Sequence, residues 1–187
     1  GKLPITFPRS VGQVPVFYNA KTSGMKSYWY VDYVSEKVIP LYPFGHGLSY
    51  TTFSYSNFCL SSKEAGCGEQ IDITLTVTNT GQVAGDEVVQ LYICDEYARI
   101  PRPVKELKGY CRVALEPGQS RRLTFHLPVN MMAYYDEALN LVVEAGKIKI
   151  MLGGSSADIC LEDEIEISGV AKAMVGQRVF ICPVTIQ

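Results

Sequence analysis

From Ile71 to Thr78 the chain alternates without a break. Ile71, Ile73, Leu75 and Val77 fall on one side, and Asp72, Thr74, Thr76 and Thr78 on the other. A period of two is the mark of a strand with one buried face, because successive side chains leave a strand on opposite sides. Asn79-Thr80-Gly81 then predicts a turn. The next run, 87–94, is apolar enough for the middle of a sheet, and Pro101 and Pro103 make the connection after it irregular. Further strands are predicted over 109–115, 121–127, 141–144, 147–152 and 159–167, with turns at Pro117-Gly118, Ala145-Gly146 and Gly153-Gly154. Residues 129–135 read as a single helical turn crossing between sheets, and 178–184 as a last strand pairing back onto an edge. Seven or so short strands at this spacing indicate an all-β chain folded as a β-sandwich.

The first fifty residues follow another pattern. Pro4, Pro8 and Pro15 break 1–19 into extended chain that forms no helix. Such a strand belongs on a sheet edge or wraps a partner, and it has no hairpin mate within the next twenty residues. Residues 27–33, Ser-Tyr-Trp-Tyr-Val-Asp-Tyr, hold the single tryptophan and the densest aromatic cluster. Tyr28, Trp29, Tyr30 and Tyr33 are the candidate carbohydrate or domain contacts. Flat rings suit the C–H faces of a pyranose, and equally suit packing on a neighbouring domain or over the sandwich. Residues 41–53, Leu-Tyr-Pro-Phe-Gly-His-Gly-Leu-Ser-Tyr-Thr-Thr-Phe, read as a hinge. Pro43 fixes its own φ and holds Tyr42 extended, Gly45 and Gly47 admit unusual backbone angles, and four aromatics supply area for docking. His46 lies near Ser49 but lacks the carboxylate orienter that a nucleophilic triad needs, so it reads as structural.

Composition narrows the partners. A length of 187 residues allows one large domain or a domain with an appendage, enough to bury a core without a metal or disulfides. A formal charge of -2 argues against nucleic acid and anionic membrane as partners. No stretch is long and apolar enough for a membrane span, and any export signal would lie outside these residues. Six cysteines without a Cys-x-x-Cys pair, and two histidines in all, give no zinc pattern, so neither metal nor cofactor is expected. Three disulfides are arithmetically open. Cys94 and Cys111 fall in apolar strands, where a thiol acts as a small hydrophobe, and this favours reduced thiols and a cytoplasmic setting. Unpaired aromatic area in the N-terminal third makes self-association an expectation.

Three runs carry a family resemblance: Val77-Thr78-Asn79-Thr80-Gly81, then 84–92 (Ala-Gly-Asp-Glu-Val-Val-Gln-Leu-Tyr), then 102–109 (Arg-Pro-Val-Lys-Glu-Leu-Lys-Gly). They resemble the hallmarks of the fibronectin-III-like domain of family 3 glycoside hydrolases of the β-glucosidase type. The 41–53 run is similar to the linker leading into that domain. Residues 1–9 (Gly-Lys-Leu-Pro-Ile-Thr-Phe-Pro-Arg) are similar to the close of the α/β sandwich domain before it, and Tyr30 and Asp32 match a Tyr-x-Asp pattern there. The loop 19–24 departs from the Gly-Arg-Pro often found at its place. The resemblance implies that 1–40 is the end of the preceding domain, 41–53 the linker and 54–187 a fibronectin-III-like sandwich. It implies a parent that releases terminal β-linked sugars by retaining double displacement, with the parent's catalytic domains as partners.

A retaining glycosidase needs two carboxyl groups about 5 to 5.5 Å apart across a cleft. The acidic runs Asp86-Glu87, Asp95-Glu96, Asp136-Glu137 and 162–164 do not offer that arrangement, since neighbours on a strand point to opposite faces. They read as solvated charges guarding sheet edges. In the family the nucleophile aspartate stands in a Ser-Asp-Trp motif, whereas Trp29 here follows Tyr28. The resemblance therefore implies a noncatalytic piece, and the chain alone is expected to be inactive. Two alternatives remain open: a stand-alone carbohydrate-binding module using Tyr28, Trp29, Tyr30 and Tyr33, or an interaction module assembling with a separate catalytic chain. The first also makes an oligosaccharide an expected partner. His126 reads as a rim or core histidine, and Gly153-Gly154-Ser155-Ser156 as a turn.

Overall fold

A computed structural model describes residues 1–21 and 37–187. Tyr28, Trp29, Tyr30 and Tyr33 lie outside the described residues. Among the described residues ten strands follow in order: β1 (Phe53–Leu60), β2 (Glu64–Ala65), β3 (Gln70–Asn79), β4 (Gly85–Asp95), β5 (Glu106–Leu115), β6 (Ser120–Pro128), β7 (Tyr134–Tyr135), β8 (Leu141–Gly153), β9 (Ile159–Met174) and β10 (Val184–Ile186). One sheet runs β1-β3-β6-β10 and the other β2-β9-β8-β4-β5, with β7 paired to β8. The alternation read in β3 is the one the structure uses. Ile71, Ile73, Leu75 and Val77 are fully buried and meet Leu123, Phe125 and Leu127 of β6 together with Val89, Leu91 and Ile93 of β4. Burying each such side chain stabilises the sandwich by about 1.5–3 kcal/mol relative to leaving it in water.

Several elements differ from the sequence pattern, each for a local reason. Residues 141–144 and 147–152 are one strand, not two. Ala145-Gly146 is no turn but an irregularity, where Glu144 faces Lys172 and Gly146 faces Ile167, so β9 carries the extra residues. β1 escaped the period-two reading because its register shifts between Ser56 and Cys59, with Asn57 at φ 53. That bulge moves the apolar positions from Phe53 and Tyr55 to Phe58 and Leu60. The last strand lies at Val184–Ile186, later than 178–184, and it does pair onto the edge of the first sheet, against β6. The single helical turn at 129–135 is a 3₁₀ turn over Val129–Met132.

The N-terminal residues form a third layer. They contain one 3₁₀ turn, Val11–Gln13, where no helix was expected; it is short enough to sit between Pro8 and Pro15. The rest of the run does have a mate, beyond the twenty-residue window: it lies along the linker. Leu3 N–H donates to the carbonyl of His46 at 2.8 Å, Gly45 N–H to Leu3 at 2.8 Å, and Phe7 N–H to Tyr42 at 2.8 Å. Gln13, only 1% exposed, donates its amide to the carbonyls of Lys37, Val38 and Ile39, while its own side-chain oxygen accepts from Arg9 N–H. This pair of segments lies on the outer face of β4. Val89, Leu91 and Ile93 point into the core, so Gln90 and Tyr92 point out, and both are buried under the linker.

Candidate functional site: the linker clamp and its crevice

The hallmark runs converge on one place. Gln90 is 3% exposed and spends all its polar atoms on the clamp. Its amide nitrogen donates to Gly45 at 3.2 Å and to Gly154 at 2.6 Å, and its oxygen accepts from the Tyr92 hydroxyl at 2.5 Å. A Cβ at Gly45 would come within 2.1 Å of that oxygen, and the residue sits at φ +79, so only glycine fits there. Gly47 serves differently: a Cβ on it would meet the carbonyl of Gly1 at 2.7 Å, so its role is close approach.

Aromatic packing completes the clamp. Tyr18 stacks on Phe44 with centroids 4.2 Å apart and meets Tyr92 edge-on at 5.9 Å. The Phe44 carbonyl accepts from Ser156 N–H at 3.0 Å, and Lys105 donates to Ser156 from the other side at 2.6 Å. The Gly-Gly-Ser-Ser stretch is thus the β8–β9 turn, shaped to receive the linker. Asn79 fixes the linker's far end. It is fully buried, accepts from Thr51 at 2.6 Å and from Gly81 N–H at 3.0 Å, and donates to Val83 and Leu115. The hinge read from Gly45 and Gly47 is therefore a fastening. Those glycines exist for contact with the sandwich, and their freedom of movement is spent on it.

A crevice of about 990 Å³ opens along the linker. Its lining includes Lys2, Glu87, Asp158, Tyr55 and Cys160, and also Leu48, Tyr50, Tyr110, Asp86 and Arg112. Glu87 is 7% exposed and pairs with the Lys2 ammonium at 3.2 Å. The point where Gly154 would carry a Cβ lies 3.2 Å from Asp158 Oδ2 and 3.5 Å from both Glu87 Oε1 and Lys2 Nζ. Two carboxylates from distant parts of the chain therefore come near one point, an arrangement that reading adjacent residues could not show. Lys2 pairs with Glu87, so that carboxylate is already engaged by a cation and is not free across an open substrate path. Burial, then the charge of Glu87, holds the Tyr55 phenol far above its ordinary pKa. Burial, then the charges of Asp158 and Glu87, likewise raises the Cys160 thiol.

The other acidic runs are engaged structurally. Asp86 accepts from Arg112 Nε at 2.9 Å. Asp136 is buried, pairs with Lys172 and accepts from the N–H groups of Ala138 and Asn140, and the Lys172 contact holds its carboxyl below the usual range. Asp163 pairs with Lys63 and is lowered in the same way. Asp95 is pushed up by burial. Glu87 and Asp136 correct the expectation of solvated edge charges, since both are nearly enclosed and paired. His126 sits at the rim, hydrogen-bonded to Asp72 and Thr185 at 2.8 Å each. His46 stacks on Tyr42 with centroids 5.2 Å apart. All six cysteines are free thiols, Cys94 half-buried and Cys111 buried. Among the described residues, no group of three or more His, Cys, Asp or Glu could hold a metal ion.

Sequence reasoning did not single out Gln90, Gln13, Lys2 or Asp158. Gln90 did leave a signal. It is the one polar residue in the run Val88 to Ile93, and a polar side chain there must find partners or cost stability. Gln13 and Lys2 leave none, because their partners lie across the layer.

Comparison with known proteins matches residues 87–156 to the fibronectin type III-like domain. A putative beta-xylosidase of Formosa agariphila is 40% identical over 158 residues, covering 84% of this chain and 20% of the relative. The periplasmic beta-glucosidase of Salmonella typhimurium is 39% identical over 165 residues, covering 85% and 22%. The crystal structure of a beta-glucosidase from Listeria innocua in complex with glucose superposes with a TM-score of 0.82 at 38% identity, covering 90% of this chain and 24% of that one. The chain thus spans about a fifth of the length of the curated relatives it matches.

Proposed function

The chain belongs to the family 3 glycoside hydrolases of the β-glucosidase type, as their C-terminal region with its fibronectin-III-like domain, and from that premise we propose a noncatalytic accessory role in a parent that hydrolyses terminal β-glycosidic bonds. Residues 1–40 are the end of the preceding domain, 41–53 the linker and 54–187 the sandwich. The observation that carries the reading is the clamp. It fastens residues of 1–21 and 37–52 to the sandwich, yet leaves Ile5, Phe7, Val11, Phe17, Leu41 and Tyr42 of these segments at 40% exposure or more. So many exposed apolar side chains in two short segments support a surface that another body covers. The partner is the parent's own catalytic domains. The exposed apolar side chains of the N-terminal third also support the interaction-module reading, in which the catalytic chain is separate. Six free thiols favour a reducing, cytoplasmic compartment.

Association tests the proposal. Catalytic domains produced without this region should bind the chain, and amide exchange should slow at 5–17 and 39–42. No association, or protection confined to the opposite sheet, would contradict it.

A further inference from the structure

Part of the crevice lining is exposed and is not used by the clamp. Tyr50 stands fully exposed on the linker wall, and Tyr110 is 67% exposed on the β5 wall. Beside them Arg112, with its side chain 71% exposed, is paired to Asp86. Ser49 and Leu48 line the same crevice. We infer that these exposed crevice residues bind a neutral oligosaccharide, an inference that rests on the accessory role proposed above.

The chemistry selects the ligand. Asp86, Glu87 and Asp158 along the crevice oppose a polyanion. A purely apolar segment would strip water from the Arg112–Asp86 pair and return no hydrogen bonds, which costs more than the covered rings contribute. A pyranose satisfies both kinds of wall. Its C–H faces lie on tyrosine rings, while its hydroxyls both donate and accept, to the carboxylate of Asp86 and from the guanidinium of Arg112. A space of about 990 Å³ lies at the upper end of small-ligand sites and leaves room for more than one sugar ring. The ligand class is a chain of neutral sugars of the kind the parent would trim from its end. Holding such a chain away from the catalytic domains would raise its local concentration without taking part in bond cleavage.

The test is a titration of the isotopically labelled 187-residue chain with cellotetraose and, separately, xylotetraose, followed by amide chemical shifts. The inference expects saturable shifts confined to 48–52, β4 and β5. Tyr110→Ala should weaken binding about fivefold or more, as expected for one lost ring contact. Arg112→Met should weaken it as well, whereas Tyr97→Ala, an exposed tyrosine elsewhere, should leave it unchanged. Absence of saturable shifts, or shifts that survive both variants, would overturn the inference. Adding the catalytic domains separates it from the accessory role. If they bind the chain while no sugar does, the inference falls and the role stands; if they slow exchange at Tyr110, the crevice belongs to docking and the inference is again overturned.

Discussion

The side-chain amide of Gln90 donates to the backbone carbonyl of Gly45 across 3.2 Å, joining a buried strand of the sandwich to the segment that leads into it. Removing it strands several groups at once. Gln90→Leu leaves the carbonyls of Gly45 and Gly154 and the Tyr92 hydroxyl without their partner. At about 1 kcal/mol or more for each orphaned group, the loss should reach roughly 3 kcal/mol. Gly45→Ala should cost a similar amount through its φ of +79 and the collision with Gln90. Denaturant unfolding measures both, and limited proteolysis should locate new cleavage within 41–53. A wild-type unfolding curve and digestion pattern in both variants would contradict the clamp.

Asn79 makes the same argument at the other end of the linker. Its carboxamide joins Thr51, Gly81, Val83 and Leu115, all at 3.0 Å or less. Asn79→Ala should therefore destabilise the chain by about 2–3 kcal/mol, and Thr51→Val by less, since the Gly81 N–H still satisfies the Asn79 oxygen. Equal losses in the two variants would show that the hydroxyl, and not the amide, organises the turn.

Acid should unfold the sandwich over a defined range. Asp136, Asp163 and Asp72 are held below the usual carboxylate range by Lys172, by Lys63 and by the His126 hydrogen bond respectively. Each binds its proton less readily when folded, so its contribution is complete above the unfolded value, about 3.9, and is lost as pH falls through the lower folded value. Asp95, raised by burial, has the opposite sign and opposes folding above its unfolded value. The urea midpoint should fall steeply between about pH 4 and pH 2, and Lys172→Met should flatten that limb. A midpoint that rises on acidification would reverse the assignment.

Thiol reactivity should sort by burial. Cys59 is exposed and should react first with a disulfide reagent at mild alkaline pH. The partly buried Cys182 thiol is pushed up to about 12 and the buried Cys111 thiol is also raised, so both should react more slowly than Cys59 until the chain unfolds. Rapid titration of all six in the native protein would contradict the packing at Gly109, where a Cβ would lie 3.3 Å from the Cys182 sulfur.

The sandwich was legible wherever the period of two was clean. β3 was legible from Ile71 to Thr78, because its inward positions there are aliphatic and its outward ones polar, whereas the buried Asn79 that closes the strand read as a turn. β1 could not, because its bulge at Asn57 shifts the pattern, and Ala145-Gly146 resembled a turn because an irregularity and a turn call on the same residues. The hallmark runs of the first and second motifs were visible, but not their common purpose. Gln90 and Gly45 are 45 positions apart in sequence and meet only when the linker lies on β4, while Asn79 takes up Thr51 at the linker's other end, 28 positions away. The Lys2, Glu87 and Asp158 cluster was illegible for the same reason: its members come from the N-terminal run, β4 and the β8–β9 turn.

The central claim is that this chain supports catalysis without performing it. A panel of nitrophenyl β-glycosides, offered to the chain alone, to the parent's catalytic domains alone and to the mixture, tests it most directly. The account predicts no turnover by the chain, and turnover by the catalytic domains that becomes faster or more heat-resistant when the chain is added. Turnover by the chain alone, abolished by Glu87→Gln or Asp158→Asn, would contradict it and make the carboxylates of the crevice an active site.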